Sequence, residues 1–237
     1  MKTVVHLLRH GEVYNPTGIL YGRMPGFSLS ELGRTMAQRV ADTIADRDIV
    51  RVVASPLERA QQTATPLATA LGLEIATDPR VIESSSVFEG QHFGVGQGLL
   101  KKPGAWRHLW NPLRPSWGEP YKEIVGRMTA AVADARDAAR GHETVVVSHQ
   151  LPIWTTRLHL EHRPFIHDPR KRECTLCSLT TLEYDGDRLV SLTYSEPAGD
   201  LVPVKDRSMP FSSGGAPAVD GGGQDTVAQD RLGGSGE

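Results

Sequence analysis

Thr3-Val4-Val5-His6-Leu7-Leu8-Arg9-His10-Gly11-Glu12 is the stretch from which the rest of the chain is read. Its first six residues are β-branched or apolar apart from His6, the composition of a short strand buried on both faces. The apolar run stops at Arg9, and the Gly/Pro/Asn-rich residues from Gly11 to Gly26 read as a loop. An arginine and a histidine therefore stand at the carboxyl end of a strand. In open α/β sheets that edge is where ligands bind.

Outward from this stretch, short strands and helices alternate. Ser30 offers an N-cap, and Leu32, Met36, Val40 and Ile44 recur every four residues, which predicts a helix over 31–45. Arg51–Ala54 is a second strand. Ser55-Pro56 predicts the start of a helix, since proline suits the first helical position, and Gly72 closes it after Leu71. Glu74–Thr77 is a third strand, 84–120 is irregular, and 122–140 is an Ala-rich amphipathic helix. Thr144–Val147 is a buried strand, and Pro152 opens a helix reaching Leu160. Cys177–Tyr184 and Arg188–Tyr194 read as two strands around the turn Asp185-Gly186-Asp187. This alternation predicts a three-layer α/β/α fold on a mostly parallel central sheet. The catalytic domain is expected over 1–197. From Ala198 the character changes: eight of the 24 residues from Gly214 to Glu237 are glycine, so 198–237 is expected to be a disordered tail.

The 237 residues suffice for a packed core, and a net charge of −2 gives no bulk attraction to nucleic acid or membrane. The two cysteines are too few for a disulfide scaffold. The apolar N-terminal run, broken by His6 and ended by Arg9, is too short for a secretion signal, and no run is long enough to span a membrane. A cytoplasmic protein is expected, with homodimerisation left open.

A second histidine has the same address as the first: His149 follows the strand Thr144–Val147 and precedes a helix. Arg59 lies soon after the strand 51–54. Three strand ends thus bring two arginines and two histidines to one sheet edge. Alone, Arg59 reads as a solvated helix residue and His149 as a strand-end polar residue; together they suit a phosphoryl group. Arginine's planar fork matches phosphate oxygens two at a time and keeps its charge. Histidine can be a neutral nucleophile or a hydrogen-bond donor near neutral pH. The helix N-termini after residues 55 and 149 would add positive potential.

Arg9-His10-Gly11-Glu12, Ser55-Pro56-Leu57-Glu58-Arg59-Ala60-Gln61-Gln62-Thr63-Ala64 and Ser148-His149 resemble, in order, the motifs of the histidine phosphatase (phosphoglycerate mutase-like) superfamily, over about residues 1–196. The resemblance implies that His10 becomes a phosphohistidine, that Arg9, Arg59 and His149 hold the phosphoryl oxygens, and that a carboxylic acid protonates the leaving oxygen and then activates water. Glu83 matches that acid best, with Glu89, just before Gly90, second. Asn15 and Tyr21, in the loop after His10, are candidate substrate contacts. Asn15 stands closer to the histidine than the family's usual asparagine. Tyr21-Gly22-Arg23-Met24-Pro25-Gly26-Phe27 stands where the mutase members carry a characteristic segment, which favours a cofactor-independent phosphomonoesterase. The alternatives are a phosphoglycerate mutase and an inactive module that binds a phospho-ligand. The implied partner is a small phosphorylated substrate.

Other features have plainer readings. Cys174 and Cys177 lack the second ligand pair a zinc site needs and precede a strand, not a helix. His159, His162 and His167 lack a carboxylate at helical spacing and read as surface residues, so no metal is expected. Glu12 is either catalytic or a structural partner for an arginine. The segment 95–121, with Lys101, Lys102, Trp106, Arg107, His108, Trp110, Arg114 and Trp117, is expected to be a cap over the phosphate site, whose cations suit an acidic substrate.

Overall fold

The computed structural model describes residues 1–91, 118–166 and 172–202. Six strands form one sheet: β1 (Lys2–Arg9), β2 (Ile49–Ala54), β3 (Ile75–Thr77), β4 (Glu143–Ser148), β5 (Leu179–Asp185) and β6 (Arg188–Ser195). Their order is β3-β2-β4-β1-β5-β6. The pairs β2–β3, β2–β4 and β1–β4 are parallel, while β5 runs antiparallel to both β1 and β6. The sheet is therefore mixed, with a parallel half that carries the strand ends of interest.

Helices cover both faces. α1 (Glu31–Ile44) and α2 (Glu58–Leu71) lie on one side, and α3 (Tyr121–Ala138) and α4 (Gln150–Leu160) on the other. Alternate residues of the central strands serve the two layers. Leu8, Val52, Ala54, Val145 and Val147 pack with Met36, Val40, Ala64 and Leu67. Val5, Leu7, Val53 and Val146 pack with Ile124, Met128, Val132 and Ile153. This is why the central strands read as unbroken apolar runs: each of their faces is covered.

Several boundaries differ from the sequence expectation. Pro56 does not open α2; the helix starts at Glu58 with Leu57 as its cap. Ser55 has other duties: its hydroxyl meets the amide of Leu57 and the ring of His149. α4 starts at Gln150, two residues ahead of Pro152, with His149 as its cap. Cys177 lies in a turn with φ of 55°, and β5 begins at Leu179. The packed unit also passes the expected limit at 197. Ala198 and Val202 are buried in the first core layer, a 3₁₀ turn spans Gly199–Leu201, and Asp200 pairs with Arg39 at 3.0 Å. The glycine-rich average over the whole tail hid these apolar anchors. Residues 203–237, and 95–117 of the expected cap, lie outside the described residues.

Among the described residues, no helix is long and apolar enough to cross a membrane.

Candidate active site

The site sits at the carboxyl edge of the parallel strands. Arg9 ends β1 and Ser148 ends β4, and the two are register partners. The next residues are His10 and His149, and the amide of His10 donates to the carbonyl of Ser148 at 3.1 Å. The two imidazoles are buried with their centroids 5.1 Å apart. Arg9 and Arg59 are buried beside them, at 3% and 1% exposure.

The loop after β1 is fixed by backbone approach. A Cβ on Gly33 would come within 2.0 Å of the Glu12 carbonyl oxygen, and one on Gly11 within 2.6 Å of the Gly33 carbonyl oxygen. Only glycine at both places lets the first turn of α1 press on this loop. Thr63 of α2 accepts from the Gly11 amide at 3.1 Å. The Glu12 carboxylate accepts from Ser30, the N-cap of α1, which places Glu12 in the scaffold of this loop.

His10 is held in a defined tautomer. Its Nδ1 lies 2.8 Å from the Gly11 carbonyl oxygen, which can only accept, so Nδ1 carries the proton and Nε2 the lone pair. Burial lowers its pKa well below the ordinary value, and the charges of Arg59 and Arg9 lower it further. A neutral ring with an open Nε2 lone pair is the form a nucleophile requires.

His149 is also buried and kept neutral, first by burial and then by Arg59. Its Nε2 lies 2.8 Å from the Ser55 hydroxyl. That hydroxyl takes the Leu57 amide on one lone pair and can give its own hydrogen to the ring. With Ser55 donating, the His149 proton sits on Nδ1, a buried nitrogen without a partner among the described residues. The Nε of Arg59 is likewise buried and unpartnered. Two buried donors without acceptors are rare in a folded protein, and an anion between them would satisfy both.

Arg59 is oriented by the loop that sequence reasoning marked as unusual. Its Nη2 donates to the Gly22 carbonyl at 2.6 Å, and its guanidinium lies 4.8 Å from the centroid of the Tyr21 ring. Tyr21 is buried and stacks on Phe27, and burial pushes its hydroxyl up to about 12. Arg9 donates to the Cys174 carbonyl at 2.7 Å.

The two candidate acids differ. Burial raises the Glu83 carboxyl, partly offset by the Ser84 amide at 2.8 Å and by Arg59 and Arg9. Glu89 accepts from the Ser86 amide at 3.2 Å and lies against Gly22. Glu83 lies close enough to feel both arginines, and its raised carboxyl keeps a proton available.

Asn15 proves to be a loop brace. It is fully buried, its amide donates to the Ile19 carbonyl at 2.9 Å, and its carbonyl accepts from Ile19 and Thr17. Its early position closes a tight turn over residues 15–19. Burial pushes the thiols of Cys174 and Cys177 up to about 11 and 12, so neither is ionised near neutral pH. His159 and His162 are exposed, and His167 lies outside the described residues. No group of three metal-binding side chains occurs among the described residues.

Sequence reasoning missed residues that touch the site from elsewhere. Ser55 lies in a quoted motif, yet nothing local shows that it faces His149. Arg172, at the end of a basic run, lies near enough to Glu83 and Arg9 for their charges to act on it. Arg23 and Arg127 grip the backbone of the Glu83 segment.

Comparison with known proteins places the chain in a family. A family model described as the histidine phosphatase superfamily, branch 1, matches residues 5–197. An uncharacterised protein of Mycobacterium tuberculosis is 58% identical over 197 residues, spanning 83% of this chain and 98% of its own length. A Yersinia pestis protein named as a probable phosphoglycerate mutase is 30% identical over 203 residues, spanning 83% of this chain and 92% of its own. Among solved structures, a mycobacterial glucosyl-3-phosphoglycerate phosphatase superposes with a TM-score of 0.62 at 25% identity, covering 82% of this chain and 97% of that one.

Proposed function

The chain belongs to the histidine phosphatase superfamily, branch 1, and on that premise we propose that it is a phosphomonoester hydrolase acting through a phosphohistidine on His10. The observation that carries this reading is the pair of buried nitrogens, Arg59 Nε and His149 Nδ1, that have no partner among the described residues, beside a neutral histidine whose lone pair is on Nε2. Such a pocket favours a tetrahedral dianion and a nucleophile in one place.

In the proposed reaction His10 Nε2 attacks phosphorus as the ester P–O bond breaks. Glu83 gives its proton to the leaving oxygen. Arg9, Arg59 and His149 Nδ1 stabilise the three equatorial oxygens, where charge spreads during transfer. Glu83, now a carboxylate, takes a proton from water as the water oxygen attacks phosphorus. The P–N bond breaks, inorganic phosphate leaves, and both groups return to their starting forms.

One relative acts, by its name, on glucosyl-3-phosphoglycerate and another is named a mutase of phosphoglycerate. The substrate class proposed here is accordingly a small anionic phosphate monoester. The Tyr21–Phe27 loop, which differs from the mutase segment, favours hydrolysis. The Yersinia relative supports a second reading as a phosphoglycerate mutase.

His10→Ala should abolish phosphate release from an aryl phosphate, and acid-labile, base-stable phosphoenzyme should be trapped in the unmodified protein. Full activity of His10→Ala would overturn the proposal. A coupled assay with 3-phosphoglycerate, with and without bisphosphoglycerate, separates the two readings: rapid isomerisation with little hydrolysis favours the mutase.

A further inference from the structure

Glu83 rides on a segment that regular secondary structure does not hold. A 3₁₀ turn over Pro79–Val81 leads into extended, irregular chain, whose one ladder contact among the described residues is an isolated bridge from Ser86 to Gly118. Yet four consecutive backbone carbonyls here each accept a hydrogen bond from a side chain of another element. Arg127 Nη1, on α3, donates to the carbonyls of Arg80 and Ile82, both at 2.6 Å. The Ser148 hydroxyl, at the end of β4, donates to Val81 at 2.7 Å. Arg23 Nε, from the loop after β1, donates to the carbonyl of Glu83 itself at 2.6 Å.

The two arginines are joined. Glu119 accepts from Arg23 Nη2 at 2.7 Å and from Arg127 Nε and Nη2 at 2.7 and 3.0 Å. Glu119 is in turn tied to the same segment, since its amide donates to the Ser85 carbonyl at 3.2 Å. The result is a closed frame: one carboxylate, two guanidiniums, and the backbone on either side of the acid. The planar fork of arginine can meet two carbonyls and a carboxylate together, whereas an ammonium cannot span them.

We infer that Arg127 and Arg23, bridged by Glu119, are positioning residues for the Glu83 carboxyl, fixing its distance to the leaving oxygen of the substrate. The inference rests on the reading of Glu83 as the general acid. A general acid must lie within hydrogen-bond reach of the oxygen it protonates, and a displacement of about 1 Å can cost roughly a hundredfold in rate. An irregular segment would not keep that tolerance without external anchors. Arg127 also acts on the acid through its charge: burial raises the Glu83 carboxyl, and Arg127 is among the cations that offset this. Its removal should therefore shift the alkaline limb of the pH profile upward.

The test is the leaving-group dependence of kcat/KM, which reports transfer to His10. An alkyl phosphate needs a proton at its leaving oxygen; 2,4-dinitrophenyl phosphate does not. Arg127→Gln should lose about 30- to 100-fold on the alkyl ester and less than about threefold on the dinitrophenyl ester. Arg127→Lys should not restore the alkyl activity. Glu83→Gln serves as the reference and should show the same selectivity, more strongly. If Glu83→Gln loses both substrates equally, the acid reading fails and the inference with it. If Glu83→Gln is selective while Arg127→Gln loses both equally or neither, the frame does not position the acid and the inference alone is overturned. Should Arg127→Gln fail to fold by circular dichroism, Arg23→Gln, at a half-buried site gripping the Glu83 carbonyl, decides the matter by the same ratio.

Discussion

The rings of His10 and His149 lie 5.1 Å apart because Arg9 and Ser148 are register partners in neighbouring parallel strands. Each histidine is the first residue beyond its strand, so one register sets both. Arg59 reaches the same place from α2, and the Tyr21 ring and Gly22 carbonyl hold its guanidinium. The pocket thus collects cations and neutral imidazoles from elements whose termini the sheet has already aligned.

Ser55 is the hydrogen-bond partner of His149 Nε2, at 2.8 Å. Ser55→Ala removes the hydroxyl at Nε2 and leaves a buried ring nitrogen unpaired. The loss of such a bond is on the order of 1–3 kcal/mol, which corresponds to about a five- to 150-fold fall if it is expressed in the transition state. The fall should appear in kcat/KM for phosphate esters, and the unpaired ring nitrogen should also lower the melting temperature by a few degrees. Unchanged kinetics would mean that His149 keeps its tautomer without Ser55.

The pH profile of kcat/KM should be a bell whose limbs belong to His10 and Glu83. Transfer needs neutral His10, and its pKa is held well below the ordinary 6.5 by burial, Arg59 and Arg9. The acid limb should therefore lie well below pH 6.5. Transfer also needs protonated Glu83, whose pKa burial raises above the ordinary 4.5. The alkaline limb follows loss of that proton and should vanish in Glu83→Gln. An acid limb centred at or above pH 6.5 would contradict the electrostatics of this pocket.

Gly33→Ala should damage the site without touching it. The added methyl would stand 2.0 Å from the Glu12 carbonyl oxygen, which is backbone and cannot swing aside. Either α1 or the loop bearing His10 must move. Overpacking of this kind costs about 1–3 kcal/mol, measurable by urea denaturation, and phosphatase activity should fall with it. A variant of unchanged stability and activity would refute the close packing of these two turns.

Much of the fold was legible because burial on both faces leaves a clear mark. Leu7-Leu8 and Val145-Val146-Val147 could be assigned to central strands from their apolar runs, and Ser30 acts as the N-cap its position suggested. The start of α2 was misplaced because a proline rule cannot know that Ser55 is engaged with a histidine 94 residues away. The end of the domain was set too early because composition averages over Ala198 and Val202, whose worth depends on the core they meet. Asn15 was read for the pocket by resemblance to the family's asparagine, although it stands closer to the histidine, whereas its hydrogen bonds go to its own turn.

The sequence by itself determined the strand-end addresses of Arg9, His10 and His149, since hydrophobic periodicity locates where each buried strand stops and where polar chemistry begins. It also offered Glu83 and Glu89 as candidate acids. Only the tertiary structure set Glu83 within reach of the fields of Arg9 and Arg59. Only the tertiary structure brought Arg23, Glu119 and Arg127 around the backbone that carries it. The reason is range: periodicity and capping act within a few residues, whereas desolvation and arginine hydrogen bonds depend on groups that only the folded sheet brings together.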